Sequence, residues 1–127
     1  MDLLNYFNKE HKEQKQEPIS GLTFQKLAKY NLCPRYPIKP LDNNIQYNDI
    51  VFVNLDYFDN FIEQLLNINP ENKFILITHN SDRSFTEEHL NKVTNYVTRI
   101  YAINCTIQNN SKITKIPIGL PDKHYPI

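Results

Sequence analysis

His79, Asn80, Ser81 and Asp82 follow one another directly after an apolar run, and their types suit them to chemistry better than any other stretch of the chain. An imidazole three residues from a carboxylate can serve as a general base that the carboxylate orients, taking the proton from an attacking hydroxyl. Two other apolar runs end in the same way, one in Asn54 and Asp56 and one in Asn104 and Cys105. Gathered at one place, these amides, carboxylates and the imidazole make a hydrogen-bonding set for a polyhydroxylated ligand. The same residues are also ordinary turn and cap formers, because Asn and Asp side chains bond nearby backbone groups. For Asn54, Asp56 and Asn104 turn chemistry is a sufficient account, whereas His79 and Asp82 invite the functional one.

Other chemistries find little support. His11, His89 and His124 lie in polar surroundings and read as surface imidazoles, and no group of histidines has metal-ligand spacing. The HNSD stretch lacks the second histidine of HExxH, and the aspartates are too scattered for a calcium loop. Ser81 sits in no GxSxG elbow, which argues against a serine nucleophile. Gly21 and Gly119 are the only glycines, so neither a GxGxxG nor a GxxxxGK phosphate loop is present. Cys33 and Cys105 form no CxxC pair and read as reduced, structural thiols. No motif for a cofactor or a metal emerges.

The elements that must position these residues form an α/β pattern. Phe74 to Thr78 is apolar without alternation, as expected of a strand covered on both faces in a parallel sheet. Asp49 to Asn54, Arg99 to Asn104 and Ile113 to Leu120 supply three more strands. Between them, Phe58, Phe61, Ile62, Leu65 and Leu66 mark one face of a helix over Leu55–Leu66. Ser84, with Glu87 three residues on, suggests a capping box for a second helix whose buried stripe is Leu90, Val93, Tyr96 and Val97. Upstream, Asp2 to about Gln14 and Leu22 to Tyr30 read as two short N-terminal helices. Cys33 to Asn44, with Pro34, Pro37 and Pro40, reads as an extended connector. The expected fold is thus a Rossmann-like, three-layer α/β domain with a mainly parallel sheet of about four strands. Residues 1–44 pack as helices and connector on a core at 45–127. In such sheets ligands bind beyond the carboxyl ends of the strands, where His79, Asn80, Asp82, Asn54 and Asn104 fall.

Composition sets the outer bounds. A chain of 127 residues is the size of one domain. Its 14 basic and 14 acidic residues balance, which gives no general attraction to nucleic acid or to an anionic membrane. The N-terminus turns charged before a secretory signal develops, and no apolar run nears the roughly 20 residues of a membrane span, so a soluble intracellular protein is expected.

Three patches, ITHNSD at Ile77–Asp82, IYAIN at Ile100–Asn104 and IPIGLPD at Ile116–Asp122, resemble glycosyltransferase-like proteins of large DNA viruses and microbes, some of them exostosin-like. The resemblance covers roughly the second half of the chain. It implies the N-terminal Rossmann-like half of a two-domain, GT-B-like enzyme, with His79, Asn80, Asp82 and Asn104 lining the interdomain cleft and Pro117 and Gly119 shaping a loop beside it. Ile103 departs from the polar residue expected before the asparagine. The expected function is binding of a sugar or other hydroxylated acceptor at the carboxyl edge, with His79 and Asp82 catalytic and a nucleotide sugar or glycan as ligand. The chain ends soon after its fourth expected strand, which makes independent transferase activity doubtful. The alternative is a non-catalytic Rossmann-like interaction module that docks a protein partner or a second copy.

Overall fold

A computed structural model describes residues 25, 27–34, 37–79 and 81–116. They form an α/β, Rossmann-like fold around a five-stranded sheet in which every neighbouring pair is parallel. The strands are β1 (Tyr30–Leu32), β2 (Ile50–Val53), β3 (Phe74–Thr78), β4 (Val97–Ala102) and β5 (Ile113–Lys115). A 3-10 turn, Leu55–Tyr57, leads into α1 (Phe58–Ile68), and α2 (Glu87–Val93) lies between β3 and β4. The first N-terminal helix, expected over Asp2 to about Gln14, falls outside the described residues, as does the start of the second, expected from Leu22. By Leu27 the chain turns and Tyr30 opens β1, so the expected helix to Tyr30 ends short and part of the 1–44 segment is a strand of the sheet.

Strands β1 to β4 are largely buried on both faces, which is what their non-alternating sequences require, whereas β5 is half-buried to exposed. Tyr30, Leu32, Val51, Val53, Phe74, Leu76, Val97, Ile100 and Ala102 belong to the larger apolar cluster on the first face. Phe52, Ile77 and Tyr101, from the alternate positions, join Ala28, Cys33 and Ile116 on the second. Strand order follows chain order, β1-β2-β3-β4-β5. If every crossover has the usual hand, such an order sends all of them over one face. The packing agrees: Leu41 and Ile45 from the β1–β2 connection, Phe61 and Leu65 of α1, Leu90 and Val93 of α2, and Ile107 from the β4–β5 connection all enter the first-face cluster. The winding direction does not reverse among the described strands. The crevice that such a reversal opens in a doubly wound sheet therefore does not arise between them.

The Pro-rich connector has a specific task. Asn31 and Lys39 exchange backbone hydrogen bonds, each N–H donating to the other's carbonyl at 2.9 Å, so the connector lies antiparallel along the outer side of β1. A sheet edge left open invites pairing with other chains, and this one is covered. At the amino side of β1 and β2, Lys29 donates to Asp49 at 2.8 Å and Tyr30 donates to Asp42 at 2.7 Å, which pins the loop between the connector and β2. The tyrosine bond and the backbone N–H of Asn44 hold the Asp42 carboxyl below its usual range.

Two element boundaries differ from expectation, both through long-range pairing. Val97 and Tyr96 carry a helical spacing, yet Val97 pairs with Phe74 as the first residue of β4, and Tyr96 accepts the Phe74 N–H at 3.1 Å. A register shift follows, with Ile75 opposite Arg99. The second helix begins later than the Ser84 box predicts. Phe85 bridges to Cys105 as an extended residue, its N–H bonding the Asn104 carbonyl and its carbonyl accepting from Thr106. The chain cannot turn helical until this bridge is passed, so Thr86 is the N-cap and His89 its reciprocal partner.

Candidate functional site at the carboxyl edge

Backbone pairing extends beyond the named strands at the carboxyl edge. Asn54 N–H donates to the Leu32 carbonyl at 3.4 Å, Ile103 N–H to Thr78 at 3.2 Å and Ile116 N–H to Ala102 at 2.8 Å. One step past the register Leu32–Val53–Thr78–Ala102–Lys115 lies the row Cys33, Asn54, His79, Ile103, Ile116. Pleat alternation puts this row on the second face, where Cys33 and Ile116 are buried and Ile103 packs against the same cluster. The apolar Ile103 thus belongs to the core.

The row is closed to solvent at its polar members. Cys33 is 1% exposed, Asn54 8% and His79 5%. Asn54 Nδ2 stands 4.0 Å from Cys33 Sγ, while Asn54 Oδ1 accepts the Asp56 N–H at 2.8 Å and caps the 3-10 turn. Cys33 and His79 sit two strands apart, roughly 10 Å, beyond the hydrogen-bond reach that a thiol nucleophile and its base need. Both cysteines are free thiols.

The polar cluster deepens toward β1. The buried polar residues among those described are Gln25, Asn31, Asn54, Thr78 and His79, all in or beside the first three strands. Asn31, at 3% exposure, is its hub. Its Oδ1 accepts from Gln25 Nε2 at 2.8 Å and from Cys33 N–H at 3.1 Å, and its Nδ2 donates to the Cys33 carbonyl at 2.9 Å and the Pro37 carbonyl at 3.1 Å. Gln25 Oε1 and Thr78 Oγ1 are buried without a hydrogen-bond partner among the described residues.

The reachable part of the edge is a different set. Asp56 Oδ1 accepts from Arg83 Nε at 2.8 Å and from Ser81 Oγ at 3.4 Å, and the Arg83 N–H donates to Ser81 Oγ at 3.1 Å. This ties the loop after β2 to the loop after β3. The Asp56 and Arg83 side chains are 55% and 69% exposed, and ion pairs so exposed are worth about 0–1 kcal/mol. Arg83→Ala should accordingly shift a urea midpoint only slightly. A large loss of stability would mean that the pair organises the loops more deeply than its exposure implies.

The structure thus distributes the residues anticipated from sequence. His79 is buried in the row beside Asn54, whereas Asp82 is exposed and makes no hydrogen bond or ion pair with another described residue. Asn54 works as a cap. Asn104 adopts φ 53°, the left-handed region that asparagine tolerates better than most residues, and its carbonyl holds Phe85. Asn80 and Gly119 lie outside the described residues. Among the described residues no group of three or more His, Cys, Asp or Glu side chains is placed to hold a metal ion, and no helix is long and apolar enough to cross a membrane.

Sequence reasoning passed over Asn31, Arg83 and the true setting of His89. That ring is stacked on Phe85 at 5.5 Å between centroids and meets Phe58 edge-on at 4.7 Å. Its Nδ1 accepts the Thr86 N–H at 3.0 Å. The signal was there: Thr86-Glu87-Glu88-His89 has the capping-box spacing with histidine in the place of glutamate. In comparisons with known proteins, no family model, curated protein or solved structure matches this chain.

Proposed function

We propose that this chain is a glycosyltransferase-like α/β domain that binds a sugar or another hydroxylated ligand at the carboxyl edge of its sheet. The observation that carries the reading is the Asp56–Ser81–Arg83 cluster, where a carboxylate, a hydroxyl and a guanidinium from two successive loops meet at an exposed edge. Carboxylates accept from vicinal hydroxyls and guanidinium groups donate to them or to a phosphate, so acceptor glycans and nucleotide sugars are the ligand classes that fit. Asp82 adds a second exposed carboxylate, in the loop after β3 that carries Ser81 and Arg83.

Binding is supported better than turnover. A general base must come within hydrogen-bond reach of the proton it removes, and His79 at 5% exposure lies behind the edge. Its burial beside Asn54 favours a part in holding the edge together, with catalysis depending on the β3–α2 loop moving aside. The same burial is the specific observation in favour of the second reading, a non-catalytic interaction module that docks a protein.

A thermal-shift and NMR titration of the whole chain against nucleotide sugars and simple glycans tests the choice. Saturable binding is expected, weakened roughly tenfold to a hundredfold in Asp56→Ala, the cost of one charge-assisted hydrogen bond. Binding that survives Asp56→Ala unchanged would move the site away from the cluster. Silence across the panel from a folded protein would leave the interaction module as the better account. His79→Ala, run in parallel, separates a role in the edge from a role in ligand contact.

A further inference from the structure

We propose that His89 is an acid-sensitive latch that fastens the loops of the carboxyl edge and releases them when its imidazole takes up a proton. The inference is independent of what the edge binds. It rests on where the ring sits: at the third position of α2, between Phe58 of α1 and Phe85 at the end of the β3–α2 loop, with Nδ1 as an acceptor.

An imidazole nitrogen that accepts an N–H carries no proton, so the folded arrangement requires neutral His89 with its hydrogen on Nε2. Thr86 completes the box by accepting the backbone N–H of His89 through its side chain. Adding a proton at Nδ1 sets two donors against each other, the new Nδ1–H and the Thr86 N–H. The Thr86 hydroxyl, 3.0 Å from Nδ1, can still serve the imidazolium as an acceptor, but the Thr86 N–H then loses its partner. A helix start with a lost capping bond is a weakened one.

Charges face the ring from each side that packs on it. Glu88 on α2 and Asp59 on α1 favour the protonated form, while Lys92 on α2 and Arg83 from the loop oppose it. Contact of a cation with the two phenylalanine rings would also favour protonation modestly. Burial of the ring outweighs these and holds His89 below the ordinary histidine value of 6.5. The sign of the linkage follows. Between the two values the unfolded chain binds more protons than the folded one, so the fold loses stability as pH falls below about 6.5.

What makes this a latch on the edge is the neighbour. Phe85 stacks on the ring and is also bonded to the loop after β4, its N–H to Asn104 and its carbonyl from Thr106. The segment that ends at Phe85 begins at Thr78 and carries Ser81, Asp82 and Arg83. Loosening Thr86 and Phe85 therefore loosens the β3–α2 and β4–β5 loops together, while β1 and the connector remain held by Asn31.

The test is an NMR pH titration of the whole protein, with amide exchange followed at Phe85 and Thr106. As His89 titrates, the Thr86, Phe85 and Thr106 amides should move on the His89 curve. The protection factors of Phe85 and Thr106 should fall by about tenfold, the equivalent of one hydrogen bond. His89→Gln retains a side-chain acceptor at the capping position and cannot titrate in this range, so it should keep its protection across the same interval. Shifts confined to α2 with protection unchanged at Phe85 and Thr106 would overturn the latch, as would the same pH dependence in His89→Gln. Should His89→Gln fold poorly, Phe85→Leu supplies the second readout. It removes the stacked ring but keeps the backbone bridge, and it should uncouple Thr106 from the titration; persistent coupling would also overturn the proposal.

Discussion

Phe61→Ala is expected to remove about 3–5 kcal/mol of stability, the usual range for truncating a large buried aromatic side chain. A domain of this size holds only about 5–15 kcal/mol in total, so the variant should unfold at a much lower urea concentration or fail to fold when expressed. Phe61 has no exposed surface, meets the Phe74 ring of β3 edge-on at 6.2 Å and the Phe58 ring at 5.9 Å, and so joins α1 to the centre of the sheet. Little can collapse into the space it would leave, because Phe74, Leu76 and Leu65 of the same apolar cluster are themselves fully buried. Leu66, on the same helix but 66% exposed, is the control, and Leu66→Ala should stay within about 0.5 kcal/mol of the parent. Equal losses in the two variants would show that α1 does not pack on the first face as described.

The contrast between these two leucine and phenylalanine positions also marks what could be read in advance. The central strands were legible because IVFV, FILIT and IYA run apolar without alternation, as strands buried on both faces do. α1 was legible because Phe58, Phe61 and Leu65 repeat at helical spacing, and the structure buries those three while leaving Leu66 out. β1 was not. Its three residues, Tyr-Asn-Leu, place an amide in the middle of a strand, and the Cys-Pro that follows reads as the end of a helix. Only pairing with β2 on one side and Lys39 on the other makes the segment extended, and neither partner is visible locally.

The candidate site was legible in outline and misjudged in detail for a related reason. That polar groups would collect past β2, β3 and β4 follows from the strand ends alone. Which of them would face water depends on the pleat: His79 continues the alternation of Ile75 and Ile77 into the second face, whereas Asp82 lies beyond the strand in the exposed loop. A base and its orienting carboxylate three residues apart suit a helix or a tight loop better than a chain that is still extended at the first of them. Arg83 escaped notice because its partner Asp56 is distant in sequence, and an exposed arginine without its partner carries no information.

Asn31→Ala is expected to cost nearly as much as the core truncation, by a different route. The Asn31 side chain serves four groups among the described residues, and alanine leaves the Cys33 N–H and the Pro37 carbonyl without the hydrogen bonds it supplies, whereas Gln25 and the Cys33 carbonyl retain the 2.9 Å bond between them. Each abandoned buried group costs about 1–3 kcal/mol, and the small cavity adds to this. The backbone exchange between Asn31 and Lys39 survives, so the connector stays at the β1 edge but loses its second tie at Pro37. Asn31→Asp sharpens the test. It keeps an acceptor toward Gln25 and the Cys33 N–H but turns an oxygen toward two carbonyls, so the buried carboxyl should hold its proton more tightly folded than unfolded. With the folded value raised, that variant is most stable below the ordinary carboxyl range near 4 and loses stability as pH rises through the folded value. Above that range this acid preference opposes the direction His89 imposes on the parent. Urea midpoints measured across pH for the parent, Asn31→Ala and Asn31→Asp therefore separate a polar hub from a merely tolerated amide. If Asn31→Ala were near neutral and Asn31→Asp showed no acid preference, the buried amide network would not be what fastens β1, the connector and the first residues of the carboxyl edge to one another.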